Sequence, residues 1–221
     1  MIVLNLHGLG DPHSGVDDDE RPYWLGVEHF TKLVDRITSR SDRTQFSFTF
    51  DDGNKSDLIG ASVLAERGFS ARFFVLAGRL SQPKYLSRED LIALKDMGMT
   101  IGLHGRDHVD WRKLDDKALE DETVTARAEI EDALGQAVDE VAIPFGAYDR
   151  RVMNWLKDRR FTRIHTSDGG PLRDRAAKIW PRNTLRADMK EERLDVLLSG
   201  RWTLAQRARQ AGGQLYRRHI A

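Results

Sequence analysis

The chain has 221 residues, enough for one barrel-sized domain and too few for two. Lys+Arg and Asp+Glu balance at 35 each, which excludes the broad basic field of a dedicated nucleic-acid binder. The absence of Cys excludes disulfides and thiolate metal sites, so any metal has to be held by His and carboxylate.

Met1 to His7 reads as a first strand, with Gly8 and Gly10 turning the chain away after it. A dinucleotide loop at Gly8-Leu9-Gly10 fails because the third glycine of that pattern would fall at His13. The opening run has no basic leader and no cleavage site, and no stretch approaches the roughly 18 apolar residues of a membrane span, so the expected location is the cytoplasm. Asp11 to Tyr23 is a polar loop whose acidic run, Asp17 to Glu20, reads as solvated. Trp24 to Ser39 carries a helical stripe of Trp24, Val27, Phe30, Leu33, Val34 and Ile37.

Phe46 to Phe50 alternates three aromatics with Ser47 and Thr49, as a barrel strand does when one face lies under helices and the other points inward. The strand ends by delivering Asp51 and Asp52 together, and Gly53 lets the chain turn sharply there. Two carboxylates so close repel each other unless a cation or a proton lies between them. Further elements follow at regular spacing. A helix capped by Ser56 or Asp57 runs to Arg67, a strand spans Ala71 to Leu76, and Ser87 with Asp90 makes a capping arrangement for a helix that stops at Gly98. Thr100 to His104 is a strand, Asp115 to Leu134 one long helix, and Glu140 to Phe145 a strand broken by Pro144. Arg150 to Arg160 is a helix, and Phe161 to Thr166 and Lys178 to Leu185 are the last strands. Strand and helix alternate as parallel βα units do, and a single short (β/α) barrel is the economical reading.

Two more strand ends carry chemistry. His104-Gly105-Arg106-Asp107-His108 places two imidazoles four residues apart, and on a helical turn such a pair reaches one ion from one face. Two His and one carboxylate leave open positions, as a catalytic ion needs. Ala142 to Tyr148 holds Pro144, whose missing N–H stiffens the turn and leaves the Phe145 N–H free to act.

Thr49-Phe50-Asp51-Asp52-Gly53, His104-x3-His108 and Pro144-Phe145-Gly146, in that order, resemble the polysaccharide deacetylase family, also called the NodB-homology domain or carbohydrate esterase family 4. The resemblance covers roughly Phe46 to Thr184. It implies an α/β fold with a distorted (β/α)7 barrel, Asp51 as catalytic base, and Asp52, His104 and His108 as ligands of a divalent metal, zinc first with Co, Ni, Fe or Mn as alternatives. Members commonly end in Leu-x-Leu-His, whose His is the general acid. Here that motif stands at the front as Leu4-Asn5-Leu6-His7, an order similar to the circularly permuted poly-N-acetylglucosamine deacetylases, and His7 is the candidate acid. First and last strands of a closed barrel are neighbours, so either chain end can supply that corner.

Other positions depart from the pattern. Gly105 stands where a hydroxyl residue is usual, and Ala142 falls where many members have an Arg that orients the catalytic Asp, which makes Arg182 the candidate replacement. Asp168 is the candidate for the missing Asp-Trp motif, and Pro144, Tyr148 and Asp168 are the candidate substrate-binding residues. The implied activity is N-deacetylation of a sugar unit in a saccharide or in a lipid- or nucleotide-linked precursor. An amide or formyl hydrolase on a small substrate and a non-catalytic carbohydrate-binding barrel are the alternatives. Residues 1–200 are assigned to the barrel and residues 201–221 to a basic helical tail that covers it or touches an anionic membrane. The implied partner is the carbohydrate substrate, with no nucleic acid, and the sequence carries no signal for oligomeric state.

Overall fold

The computed structural model of the chain describes residues 1–202 and Gly212. Apart from Arg201, Trp202 and Gly212, the expected basic tail and its membrane contact lie outside the described residues. The elements, in order, are β1 (Ile2–Leu6), β2 (Gly8–Leu9), β3 (Trp24–Leu25), α1 (Val27–Thr38), β4 (Phe46–Phe50), α2 (Asp57–Glu66), β5 (Ala71–Val75) and α3 (Arg88–Asp96). There follow β6 (Thr100–Leu103), α4 (Asp116–Glu120), α5 (Ala126–Leu134), β7 (Glu140–Ala142), α6 (Arg150–Asp158), β8 (Arg163–Thr166), β9 (Ile179–Pro181), β10 (Asn183–Thr184) and α7 (Glu191–Ser199). No helix among the described residues is long and apolar enough to cross a membrane.

Eight strands make one parallel sheet in the order β10-β1-β4-β5-β6-β7-β8-β9. Only Arg182 separates β9 from β10. The first half of that run pairs with β8 and the second half with β1, at Leu4↔Asn183 and Asn5↔Thr184. The run thereby joins both edges of the sheet and shuts it into the distorted seven-position α/β barrel. The core lies between this sheet and the surrounding helices. Phe48 and Phe50, on the outer face of β4, meet Phe30 of α1 edge-on at centroid distances of 6.4 and 5.9 Å, and Phe50 stacks on Phe73 of β5 at 4.8 Å. Each such ring contributes about 1.5–3 kcal/mol by leaving water. The other face of the alternation, Asn5, Thr49 and Arg182, is buried inside the ring.

Three expectations need correction. Trp24 does not open a helix. It belongs to β3, which pairs with β2, and its indole covers Gly8 so closely that a Cβ there would sit 2.4 Å from the ring. The helix begins at Val27, after Gly26, and the rest of the stripe, Phe30, Leu33, Val34 and Ile37, is buried. The helix read over Asp115 to Leu134 is interrupted by a π-turn, Asp121–Thr125, between α4 and α5. The last strand is split where Arg182 turns its side chain into the barrel. The capping box of α3 forms as read, with Ser87 and Asp90 bonding reciprocally.

Candidate active site

The site is built at the C-terminal ends of β1, β4, β6 and β7. Asp51 continues the β4 ladder, its N–H bonded to the Leu6 carbonyl at 2.9 Å, and is 2% exposed. Arg182 grips it with two hydrogen bonds, Nη1 to Oδ1 at 2.6 Å and Nη2 to Oδ2 at 2.9 Å. Asn5 Nδ2 donates to the same Oδ2 at 2.9 Å, while Asn5 Oδ1 accepts from Thr49 Oγ1 and from Arg182. Burial alone would raise the Asp51 carboxyl, but Arg182, with His104 and His7, outweighs it and holds the group well below the usual carboxylate range.

Asp52 shares the neighbourhood of His104 with Asp51, its Oδ1 lying 3.6 Å and Asp51 Oδ2 4.0 Å from the same Nε2, because the backbone leaves the strand through left-handed geometry at Asp52 (φ 75°) and Gly53 (φ 69°). Its Oδ1 is buried and has no hydrogen-bond partner. Two imidazoles face that oxygen, His104 Nε2 at 3.6 Å and His108 Nε2 at 3.5 Å. The three ligand atoms of Asp52, His104 and His108 lie within 4.8 Å of one another. The His104 ring is fixed by its contact with the Ala142 carbonyl at 2.9 Å, which requires Nδ1 to be the donor and leaves Nε2 free.

The separations are longer than hydrogen bonds. They match the spacing of roughly 3.4 Å between ligand atoms held tetrahedrally at roughly 2.1 Å from one ion. Burial, reinforced by the nearby Asp51 and Glu20 and opposed in part by His7, pushes the Asp52 carboxyl up to about 7. Burial likewise lowers His104 to about 3. An orphaned oxygen whose charge is this costly, with two neutral nitrogens aimed at it, fits a divalent cation.

The pair His104 and His108 is not carried on a helical turn, as the four-residue spacing suggested. Residues 104–108 form a loop with φ 98° at Gly105 and 55° at His108. The loop is shaped by Glu122, from the π-turn, whose carboxylate accepts the backbone N–H of Arg106 (2.9 Å) and Asp107 (3.0 Å) and the indole N–H of Trp111 (3.1 Å). A Cβ at Gly105 would sit 2.5 Å from Glu122 Oε2, so the hydroxyl residue usual in similar sequences has no room here. Glu122→Gln should lose part of this anchorage. We expect a stability loss of about 1–3 kcal/mol in urea melts, the range for a buried donor left unsatisfied.

His7 Nε2 lies 4.0 Å from Asp51 Oδ2, and its side chain is 20% exposed. Phe145 sits in left-handed geometry (φ 57°), with an exposed ring whose centroid is 4.2 Å from that of His108. The site therefore gathers His7, Asp51, Asp52, His104, His108, Phe145 and Arg182. Pro144 and Tyr148 are buried, and the Tyr148 hydroxyl donates to Asp168 at 2.8 Å, as does Thr166 Oγ1 at 2.9 Å. This triangle braces the turns after β7 and β8, which puts Tyr148 behind the open surface on which substrate contact was expected.

Sequence reasoning missed Asn5, Glu20 and Glu122. Glu20 Oε1 is 3.4 Å from His108 Nδ1, so one member of the acidic run reaches the site. A lone polar residue in the apolar strand Ile-Val-Leu-Asn-Leu was the available signal for Asn5.

Residues 39–164 match the family described as polysaccharide deacetylase. No curated protein matches the sequence. The polysaccharide deacetylase BC0361 of Bacillus cereus is similar in structure, with a TM-score of 0.74 at 17% identity over 89% of this chain and 68% of that one. IcaB of Ammonifex degensii gives 0.72 at 19% identity over 90% and 96%, and the deacetylase PplD of Streptococcus pyogenes, in complex with acetate, 0.71 at 15% over 88% and 96%. At such identities these likenesses concern the fold.

Proposed function

The chain belongs to the polysaccharide deacetylase family, a hydrolase of the carbohydrate N-deacetylase class, and from that premise we propose that it removes an N-acetyl group from a sugar unit with the help of a divalent metal. The observation that carries this reading is the orphaned Asp52 Oδ1 between two imidazole nitrogens, a few ångströms from the ionised Asp51. Acetate, bound in the Streptococcus pyogenes relative, is the product such a reaction releases.

Asp52, His104 and His108 would hold the ion, zinc first, and it would supply Lewis acidity toward the acetyl carbonyl and the attacking water. Asp51 stays ionised because Arg182 and Asn5 bind its charged form, and it accepts the proton of the attacking water. The same contacts make it a weak base, so their value lies in holding the acceptor oxygens in place. The Phe145 N–H is assigned to the developing oxyanion. His7, whose Nε2 lies 4.0 Å from Asp51 Oδ2, is assigned to protonate the departing amine, because an amide nitrogen leaves poorly without a proton. Glu20 faces the outer nitrogen of His108, and a carboxylate there orients the ring and raises its basicity toward an ion. The exposed Phe145 ring offers an apolar face for the sugar beside that imidazole.

Two measurements test the proposal. His104→Ala should lose bound metal by elemental analysis together with turnover of N-acetylated oligosaccharides, and the wild-type protein should lose turnover on chelation and recover it with zinc. Metal-free wild-type protein with full activity would sink the reading, and formate in place of acetate among the products would move it to a formyl hydrolase.

A further inference from the structure

The barrel has a second opening. At the N-terminal ends of the strands, opposite the active site, a cavity of about 390 Å³ is lined by Arg43, Arg72, Arg163 and Arg175 together with Ser47 and Trp180. Its inner wall is a polar cluster. Glu140 accepts from Arg72 Nε at 2.7 Å and from Arg163 Nη1 at 2.6 Å, and its third partner is the buried His165 at 2.8 Å. Both of these guanidinium groups flank the Trp180 ring, at 4.8 and 4.9 Å from its centroid.

Arg43 and Arg175 each spend a donor on a backbone carbonyl, of Arg67 and Thr44, both at 2.6 Å. Neither is paired with a carboxylate among the described residues. One carboxylate thus answers four guanidinium groups around a concave space. Such groups repel each other unless an anion enters, and each still has donors to give, since a guanidinium carries five. The carbonyl contacts hold two of them in place beforehand, which lowers the ordering cost of binding.

We propose that this mouth of the barrel binds a phosphate monoester. Arg43, Arg163 and Arg175 take the phosphoryl oxygens, because planar guanidinium groups match phosphate in a bidentate fork. The volume exceeds that of a bare phosphate and falls in the range of roughly 300–1,000 Å³ typical of small-molecule sites. Phe46, Phe69 and Trp180 add apolar wall for the organic part.

Isothermal titration of the full chain with glucose 6-phosphate, and separately with inorganic phosphate, at ionic strength held constant with chloride, tests this. The expected result is one saturable site that prefers the ester. Arg43→Gln with Arg175→Gln should weaken binding about tenfold or more, the scale of losing charge-assisted hydrogen bonds, while His108→Ala, at the opposite end, should leave it unchanged. Arg163→Gln alone serves if the double variant fails to fold. Absence of saturable heat, equal affinity for phosphate and ester, insensitivity to the arginine substitutions, or loss in His108→Ala would each overturn the proposal.

Discussion

Asp51→Asn should lower turnover by about 10²–10⁴-fold, the usual share of a positioned proton acceptor, while bound metal stays at the wild-type level. The two parts of that result separate because Asp52, His104 and His108 hold the proposed ion and Asp51 does not touch them closely. Its Oδ2 is 4.0 Å from His104 Nε2. An amide in place of the carboxylate also meets the wrong partners. Arg182 and Asn5 between them direct three donors at the Asp51 oxygens, and an amide nitrogen among them can accept none. Arg182 is left as a buried charge without its counter-ion, so the variant should lose stability as well. Steady-state kinetics on an N-acetylated oligosaccharide, with metal content and thermal midpoint measured on the same sample, checks all three. Wild-type turnover in that sample would remove Asp51 from the mechanism.

Arg182→Met should cost about 3–5 kcal/mol of stability at neutral pH, the range for breaking a buried ion pair from one side. The guanidinium is fully buried, bonded to Asp51, Asn5 and Thr49, and lies over the Phe74 ring at 5.4 Å. Asp51 has a folded pKa below its unfolded value, so it contributes stability that is present above about pH 4 and lost as the pH falls. Without Arg182, burial is no longer outweighed and that contribution disappears. The gap between wild-type and variant should therefore be widest near neutrality and narrow toward acid pH, as urea melts at several pH values would record. A gap that stays constant with pH would mean that Arg182 acts by packing alone. Pairing Arg182→Met with Asp51→Asn should recover part of the stability and none of the turnover, because two apolar or neutral groups replace one stranded charge.

The barrel was legible because β4 and α1 announce themselves by different periods, two for Phe46, Phe48 and Phe50 and near 3.6 for Phe30, Leu33, Val34 and Ile37. Trp24 was misread because its spacing suits the helical stripe, whereas the decision is made by Gly8, 16 positions earlier, which alone leaves room for the indole. The π-turn at Asp121–Thr125 is invisible for a similar reason, since it belongs to the contact between Glu122 and the loop after β6. At the site, Asp51, Asp52 and His104 were legible as residues at the ends of β4 and β6, and His108 as the second imidazole in the loop after β6. Glu20 was not. Asp17, Asp18 and Asp19 beside it are exposed, and only the path of the loop decides which acid turns toward His108.

The seam at Arg182 sets an order on the making of this protein. Asp52, His104 and His108 have all been synthesised by the middle of the chain, whereas Arg182 arrives after another 74 residues. A growing polypeptide halted before β9 owns every proposed ligand for an ion, yet its ring is open and the Asp51 carboxylate has no guanidinium to aim it. Contacts between positions 131 and 177 apart, those of Arg182 with Asp51 and Asn5, are slow to find each other. The strand that closes the ring is therefore also the one that brings Asp51 its guanidinium partner.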